Sequence, residues 1–136
     1  MIETVTSDLP TLLNSKGQPA TVLVTGATGY IGGRLIRELL SHEYKVRVLV
    51  RDAARLNDYP WVQNVEVVVG DATNPEALEK ALKGVDLAYY LLHALMVSKD
   101  FESKERELAE VFGSVAKKQK VSRIVYLGGM ISNDDQ

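Results

Sequence analysis

Hydrophobic and polar positions change period along this chain, and the changes predict alternating strands and helices. Five short runs rich in β-branched and apolar residues have the composition of strands buried on both faces of a parallel sheet. These predicted strands are Thr21–Val24, Lys45–Val50, Val65–Val69, Leu87–Leu92 and Arg123–Leu127. Strands separated by helical segments with short connections predict an α/β fold.

Three segments have apolar residues at helical spacing. The first stripe is Tyr30, Ile31, Leu35, Ile36, Leu39 and Leu40, the second is Ala77, Leu78, Ala81 and Leu82, and the third is Leu108, Val111, Phe112 and Val115. Asn74 is a predicted N-cap, Pro75 suits the first helical position and Gly84 is placed to end that helix. The third helix is expected to span Lys99–Lys118, with a solvated, charged opening. A short helix is expected at Ala53–Leu56.

Right-handed crossovers between these elements predict a doubly wound parallel sheet of about five strands in the order 3-2-1-4-5, with helices on both faces. Residues 1–20 are polar and contain Pro10, Gly17 and Pro19, and we interpret them as an N-terminal arm. Residues 21–136 form the predicted domain, which ends in a polar segment without a sixth strand.

The composition excludes several functions. A chain of 136 residues with 46% hydrophobic content fits one domain, and a net charge of −2 with mixed signs gives no basic surface for nucleic acid. With no cysteine and two histidines, neither a thiolate nucleophile nor a metal site is expected. No apolar run approaches the roughly 20 residues that span a bilayer, and Glu3 and Asp8 interrupt any leader, so the expected location is cytoplasmic.

Three glycines at three-residue intervals, Gly26, Gly29 and Gly32, lie between the first strand and the first helix. After a strand, such glycines permit a tight turn, close approach of the main chain to a phosphate, and close packing of helix on sheet. The helix that follows presents unpaired N–H groups to an anion. The motif therefore predicts a dinucleotide pyrophosphate site, and the alternative is a glycine turn used only for packing. The predicted contacts in this segment are Gly26, Thr28, Gly29, Tyr30, Ile31 and Gly32.

Arg51 follows Gly32 by 19 positions, at the end of the second strand, where a reader of the ribose 2′-hydroxyl would be acidic. A guanidinium suits a 2′-phosphate instead, so NADP is predicted over NAD. The alternative is a surface arginine paired with Asp52 or another acid.

Other candidates have two interpretations each. Arg34 can reach the same phosphate or cover apolar surface with its stem. Asp71 can accept a hydrogen bond from the adenine amino group, with Ala72 beside the ring, or it can satisfy N–H groups in its own turn.

Leu92 and His93 end the fourth predicted strand, where the nicotinamide and its ribose are expected. His93 can exchange protons near neutral pH, which makes it a weak catalytic candidate, and the alternative is a packed structural histidine. His42 is expected to cap the end of the first helix.

The glycine segment from Thr25 to Gly32, with Arg51–Asp52, Gly70–Asp71 and the run Arg123–Gly129, resembles the extended and atypical short-chain dehydrogenase/reductases. The NmrA-like and nucleoside-diphosphate-sugar-epimerase-like proteins are the most similar branches. The resemblance covers residues 21–130 and implies a Rossmann-type fold that binds NAD(P) through the glycines, Arg51 and Asp71.

Two features depart from that superfamily. Its active members carry a hydroxyl residue after the fifth strand, where this chain has Gly128 and Gly129, and a Tyr-x-x-x-Lys pair that occurs nowhere here. The chain is therefore expected to supply the cofactor site of an oxidoreductase or epimerase with an unknown small-molecule substrate, and to be inactive alone. The alternative is a non-catalytic NADP(H)-sensing module. The exposed fifth strand predicts pairing with a second copy.

Overall fold

A computed structural model of the chain describes residues 13–26, 30–91 and 99–126, with the side chains of residues 30, 31 and 99–105 excepted. Five strands pair in parallel in the order β3-β2-β1-β4-β5, which confirms the predicted topology. The strands are β1 Thr21–Thr25, β2 Lys45–Val50, β3 Glu66–Val69, β4 Leu87–Tyr90 and β5 Arg123–Tyr126.

Helices cover both faces of the sheet, again as predicted. They are α1 Tyr30–Ser41, α2 Pro75–Leu82 and α3 Lys99–Lys118, with two 3-10 helices at Ala53–Leu56 and Val62–Asn64. On one face, Ile36 and Leu39 of α1 pack with the alternate residues Val22 and Val24 of β1. On the other face, α2 and α3 pack around Leu23, the β1 residue between them. Successive side chains of a strand point to opposite faces, so β1 contributes to both cores and is buried from its second residue onward.

Turn chemistry fixes the helix ends. The Asn74 side chain accepts a hydrogen bond from the Glu76 N–H at 2.9 Å, which confirms the predicted N-cap of α2, and Gly84 follows that helix with φ +75°. Helix α1 ends at Ser41, and the left-handed residue Glu43 (φ 69°) follows two positions later, with its N–H donating to the Leu40 carbonyl. His42 therefore occupies the C-cap position expected of it.

Three strand bounds differ from the sequence prediction. Thr25 still belongs to β1 and pairs with Leu49 and Tyr90. Strand β3 begins at Glu66, because Val65 closes the second 3-10 helix. Strand β4 ends at Tyr90, because the Leu91 N–H donates to the Thr25 side chain and no longer to a main-chain carbonyl. Leu92 and Leu127, the predicted last residues of β4 and β5, lie outside the described residues.

Arg47 of β2 joins the sheet to the end of α2. Its guanidinium donates to the carbonyl oxygens of Ala81 and Lys83, both at 2.7 Å, and to Glu66 Oε1 of β3 at 3.0 Å. The side chain is only 13% exposed. A cation at a helix C-terminus satisfies carbonyls that have no intrahelical partner, so Arg47 fixes α2 against the sheet.

Residues 13–19 of the predicted arm form a tight turn closed by a bridge between Leu13 and Pro19. The Asn14 side chain accepts from the N–H groups of Lys16 and Gln18. Across the part of the chain that the structure describes, no helix is both long and apolar enough to cross a membrane.

Candidate functional site

The strand order reverses between β1 and β4, and the candidate site lies at the carboxyl ends of these two strands. Strand β1 continues through β2 to β3 on one side, and β4 continues to β5 on the other. In open α/β sheets the connections diverge at such a point and leave a crevice for a ligand. The glycine segment leaves β1 at this crevice and leads into α1.

Thr25 joins the two strand ends. The residue is 5% exposed, and its hydroxyl donates to the Tyr89 carbonyl at 3.3 Å and accepts from the Leu91 N–H at 3.2 Å. Both contacts belong to the main chain of the β4 end, so one buried hydroxyl continues the β1–β4 pairing beyond the regular ladder. Thr25 therefore holds Leu91 beside Gly26.

Gly26 is required here by both conformation and space. Its φ is +77°, a left-handed conformation that side chains disfavour. A Cβ at this position would lie 2.9 Å from Leu91 Cβ and 3.1 Å from the Leu91 carbonyl oxygen. The first glycine of the motif thus turns the chain off β1 while touching β4. A close approach of this kind is what we expect if the glycine motif serves packing. The absence of a Gly26 side chain also leaves the start of the loop uncovered.

Helix α1 begins at Tyr30, directly after the second glycine of the motif. Its first turn contains no acidic residue, whereas α2 has Glu76 there. Gly32 and Gly33 are buried in this turn. Unpaired N–H groups and the helix dipole attract an anion at such an end, and no carboxylate of the first turn competes for it. The N-terminal end of α1 therefore fits a phosphate group.

Arg51 and Asp71 follow the ends of the neighbouring strands β2 and β3, with Gly70 level with Arg51 and Asp71 one residue beyond it. The strands pair Val50 with Val69, and the Gly70 N–H donates to the Val50 carbonyl at 2.8 Å, so the residues that follow leave the sheet together. Arg51 is exposed. The neighbouring acid, Asp52, is engaged elsewhere, because it accepts from the Ala54 N–H at 3.0 Å as the N-cap of the first 3-10 helix.

Asp71 makes the contact expected of a turn residue. Its carboxylate accepts from the Thr73 N–H at 2.9 Å, and its carbonyl accepts from the Asn74 N–H. Hydrogen bonds from the Thr73 main chain and side chain, followed by the nearby Arg51 charge, lower the pKa of Asp71. Its role toward adenine stays a prediction. Ala72 is half-buried against the core of α2 and α3.

Gly70 fixes this end of the sheet against α2. A Cβ on Gly70 would lie 2.7 Å from the Ala77 Cβ. Only a residue without a side chain therefore lets α2 approach the end of β3, and α2 in turn follows the loop that carries Asp71.

Arg34 lies on the outer surface of α1. It is exposed and lines an open cavity of about 450 Å³ together with Arg37, Glu38 and Ser41. These residues form one side of the helix at i, i+3, i+4 and i+7. Both interpretations of Arg34 remain predictions.

Four predicted contacts, Thr28, Gly29, Leu92 and His93, fall outside the described residues, as do the side chains of Tyr30 and Ile31. Sequence reasoning missed the roles of Thr25 and Gly70. The available signals were a hydroxyl residue directly before the first glycine and a glycine directly before Asp71. Neither signal identifies the distant residue that is contacted, which is Leu91 for Thr25 and Ala77 for Gly70.

Comparisons with known proteins agree with this geometry. A profile described as NAD(P)H-binding matches residues 26–136. The dihydroflavonol 4-reductase of Gerbera hybrida is 35% identical over 96 residues, which cover 65% of this chain and 25% of that protein. A putative dihydroflavonol 4-reductase of Synechocystis sp. is 34% identical over 111 residues, covering 76% and 31% respectively.

The crystal structure of Citrobacter sp. triphenylmethane reductase complexed with NADP(H) superposes with a TM-score of 0.64 at 27% identity, covering 78% of this chain and 36% of that one. The chain thus spans about a quarter to a third of the length of these relatives. The match includes the glycine segment, β2 and the ends of β3 and β4. With its Rossmann-type sheet and its glycine turn at the switch point, the chain belongs to the NAD(P)H-binding family.

Proposed function

We propose that this chain is the cofactor-binding part of a reductase or sugar-nucleotide epimerase of the short-chain dehydrogenase/reductase type, and that it prefers NADP(H) to NAD(H). The observation that carries the preference is Arg51, an exposed guanidinium at the end of β2 beside an acid that is already engaged by Ala54. The relatives named as reductases, one of them in complex with NADP(H), support the reaction class and the cofactor.

Each part of the site has a distinct role in the proposal. The first turn of α1 and the main chain around Gly26, Gly29 and Gly32 bind the pyrophosphate. Arg51 pairs with the 2′-phosphate through a planar donor fork, a contact that NAD cannot offer. A bound nicotinamide would supply hydride transfer, and Leu92 and His93 are the predicted neighbours of that ring.

Titration of the chain with NADPH and NADH tests the proposal. Replacing Arg51 by Gln removes a charge-assisted contact made only by the 2′-phosphate, so NADPH affinity should fall about 10- to 100-fold while NADH affinity changes little. Calorimetry or cofactor fluorescence measures both constants. Arg123→Gln is the matched control, since Arg123 is an exposed arginine at the start of β5, on the opposite edge of the sheet. An unchanged ratio of the two affinities in the Arg51 variant would contradict the assignment.

The alternative function is a non-catalytic module that senses NADP(H). It is favoured by Gly128 and Gly129, which stand after the fifth strand where active members of the superfamily carry a hydroxyl residue. Steady-state NADPH oxidation with a panel of carbonyl compounds separates the two functions, because robust turnover excludes a pure sensor.

The remaining expectations concern partners and location. Strand β5 is an edge of the sheet formed by the described residues, and pairing with a second copy stays a prediction. The substrate and the cytoplasmic location also stay predictions.

A further inference from the structure

Asp71 is the acid that the sheet places beside Arg51. The β2–β3 ladder ends with the Gly70 N–H bonded to the Val50 carbonyl at 2.8 Å, which sets Gly70 level with Arg51 and Asp71 one residue beyond it. Gly70 itself is confined by Ala77, which lies 2.7 Å from where a Cβ would stand. Main-chain pairing and close packing therefore hold the main chain of Asp71 near that of Arg51.

The Asp71 carboxylate is also held in place. The Thr73 N–H donates to it at 2.9 Å, and the Asp71 carbonyl accepts from Asn74, the N-cap of α2. Arg51 is close enough that its positive charge contributes to the lowered pKa of Asp71, after the two Thr73 hydrogen bonds. The same interaction acts in reverse on the guanidinium. The neighbouring Asp52 carboxylate is held by its own 3-10 helix, as the N-cap that accepts from the Ala54 N–H.

We propose that Asp71 is a specificity-determining counter-charge, which weakens the preference for a 2′-phosphorylated dinucleotide by partly neutralising Arg51. The inference rests on the proposed role of Arg51 in reading that phosphate. A 2′-phosphate carries close to two negative charges at neutral pH and competes with the Asp71 carboxylate for the Arg51 guanidinium. A ribose 2′-hydroxyl carries none, so this competition for Arg51 does not affect the binding of NAD(H).

The experiment replaces Asp71 by Asn. The side chain keeps its size and an oxygen for the Thr73 N–H but loses its charge. At low ionic strength, the NADPH dissociation constant should fall about 3- to 10-fold, and that of NADH should change less than about 2-fold. The gain should shrink toward 1 M salt, where charges at a surface are screened within about 3 Å. Glu110→Gln, an exposed acid on α3, is the matched control for net charge and should change neither constant.

A double-mutant cycle with Arg51→Gln shows whether Asp71 acts through Arg51. In the Arg51→Gln background, Asp71→Asn should change the NADPH:NADH affinity ratio by less than about 2-fold. If Asp71→Asn weakens both cofactors equally, the carboxylate contacts the shared adenine and the inference is wrong. It is also wrong if the ratio shifts regardless of Arg51. An unchanged ratio in Arg51→Gln alone would instead overturn the proposed function, so the two failures are distinguishable.

Discussion

The ends of β1 and β4 are joined by buried contacts, whereas the ends of β2 and β3 carry exposed charge. At the first pair, the Thr25 hydroxyl and the missing Cβ of Gly26 fix Leu91. At the second pair, a main-chain hydrogen bond fixes Gly70, and Arg51 and Asp71 extend beyond it. The first end is therefore constrained by shape, and the second can change its charge without changing the fold. We therefore expect substitutions at the ends of β2 and β3 to change the cofactor preference while the fold is retained.

The largest effect is expected for Gly26→Ala, which tests whether shape constrains the ends of β1 and β4. The left-handed backbone and the 2.9 Å approach to Leu91 Cβ both oppose a side chain, so the free energy of unfolding should fall by about 2–5 kcal/mol. Urea denaturation followed by circular dichroism measures the loss. Gly17→Ala is the matched control, because Gly17 has φ +75° with no atom within 4 Å of where a Cβ would stand, and it should cost only about 1 kcal/mol. Equal losses in the two variants would contradict the role of the Leu91 contact.

A smaller effect is expected at the other strand end. Gly70→Ala places a Cβ 2.7 Å from the Ala77 Cβ, so α2 must shift, and the free energy of unfolding should fall by about 1–3 kcal/mol. Adding Ala77→Gly removes the colliding atom and should recover part of the loss, less about 1 kcal/mol for a glycine within α2. The same denaturation assay applies. If the double variant is no more stable than the sum of the two single losses predicts, the Gly70–Ala77 contact does not limit the approach of α2.

The smallest effect is expected for Thr25→Val. Valine keeps the shape of threonine but leaves the Leu91 N–H without its acceptor, which should cost about 1–2 kcal/mol. Thr25→Ser retains the hydroxyl, so its loss should reflect only the missing methyl group. Hydrogen exchange of the Leu91 amide provides a second measurement, because the valine variant should lose protection there and the serine variant should not. A valine variant as stable as the parent would show that water replaces the hydroxyl.

Local patterns predicted much of this fold. The bounds of β2, Lys45–Val50, and of α3, Lys99–Lys118, agree with the sequence prediction because apolar period and flanking polar residues mark both ends. The Asn74 cap was predictable for a similar reason, since the capping side chain and its N–H partner are two residues apart.

The sequence prediction was incomplete where the role of a residue depends on a contact with a residue far away along the chain or on another element. The Thr25 hydroxyl bonds to the main chain of Tyr89 and Leu91, which lie 64 and 66 positions away along the chain. Because the Leu91 N–H donates to this hydroxyl and not to a main-chain carbonyl, β4 ends at Tyr90, two residues before the predicted Leu92. The constraint on Gly70 likewise comes from Ala77 on another element. For Asp71, the sequence left two roles open; the structure shows the turn contact with Thr73, and the adenine contact stays a prediction.

Arg47 links two peripheral elements into one unit of local unfolding. Its guanidinium binds Glu66 of β3 and the last carbonyls of α2 at the same time, so neither element can detach while the other keeps a fully paired cation. Opening on this side of the molecule should therefore be cooperative, with edge strand and helix terminus melting in a single step. The loop between them, residues 70–74, carries Asp71 and connects the two elements that Arg47 holds together.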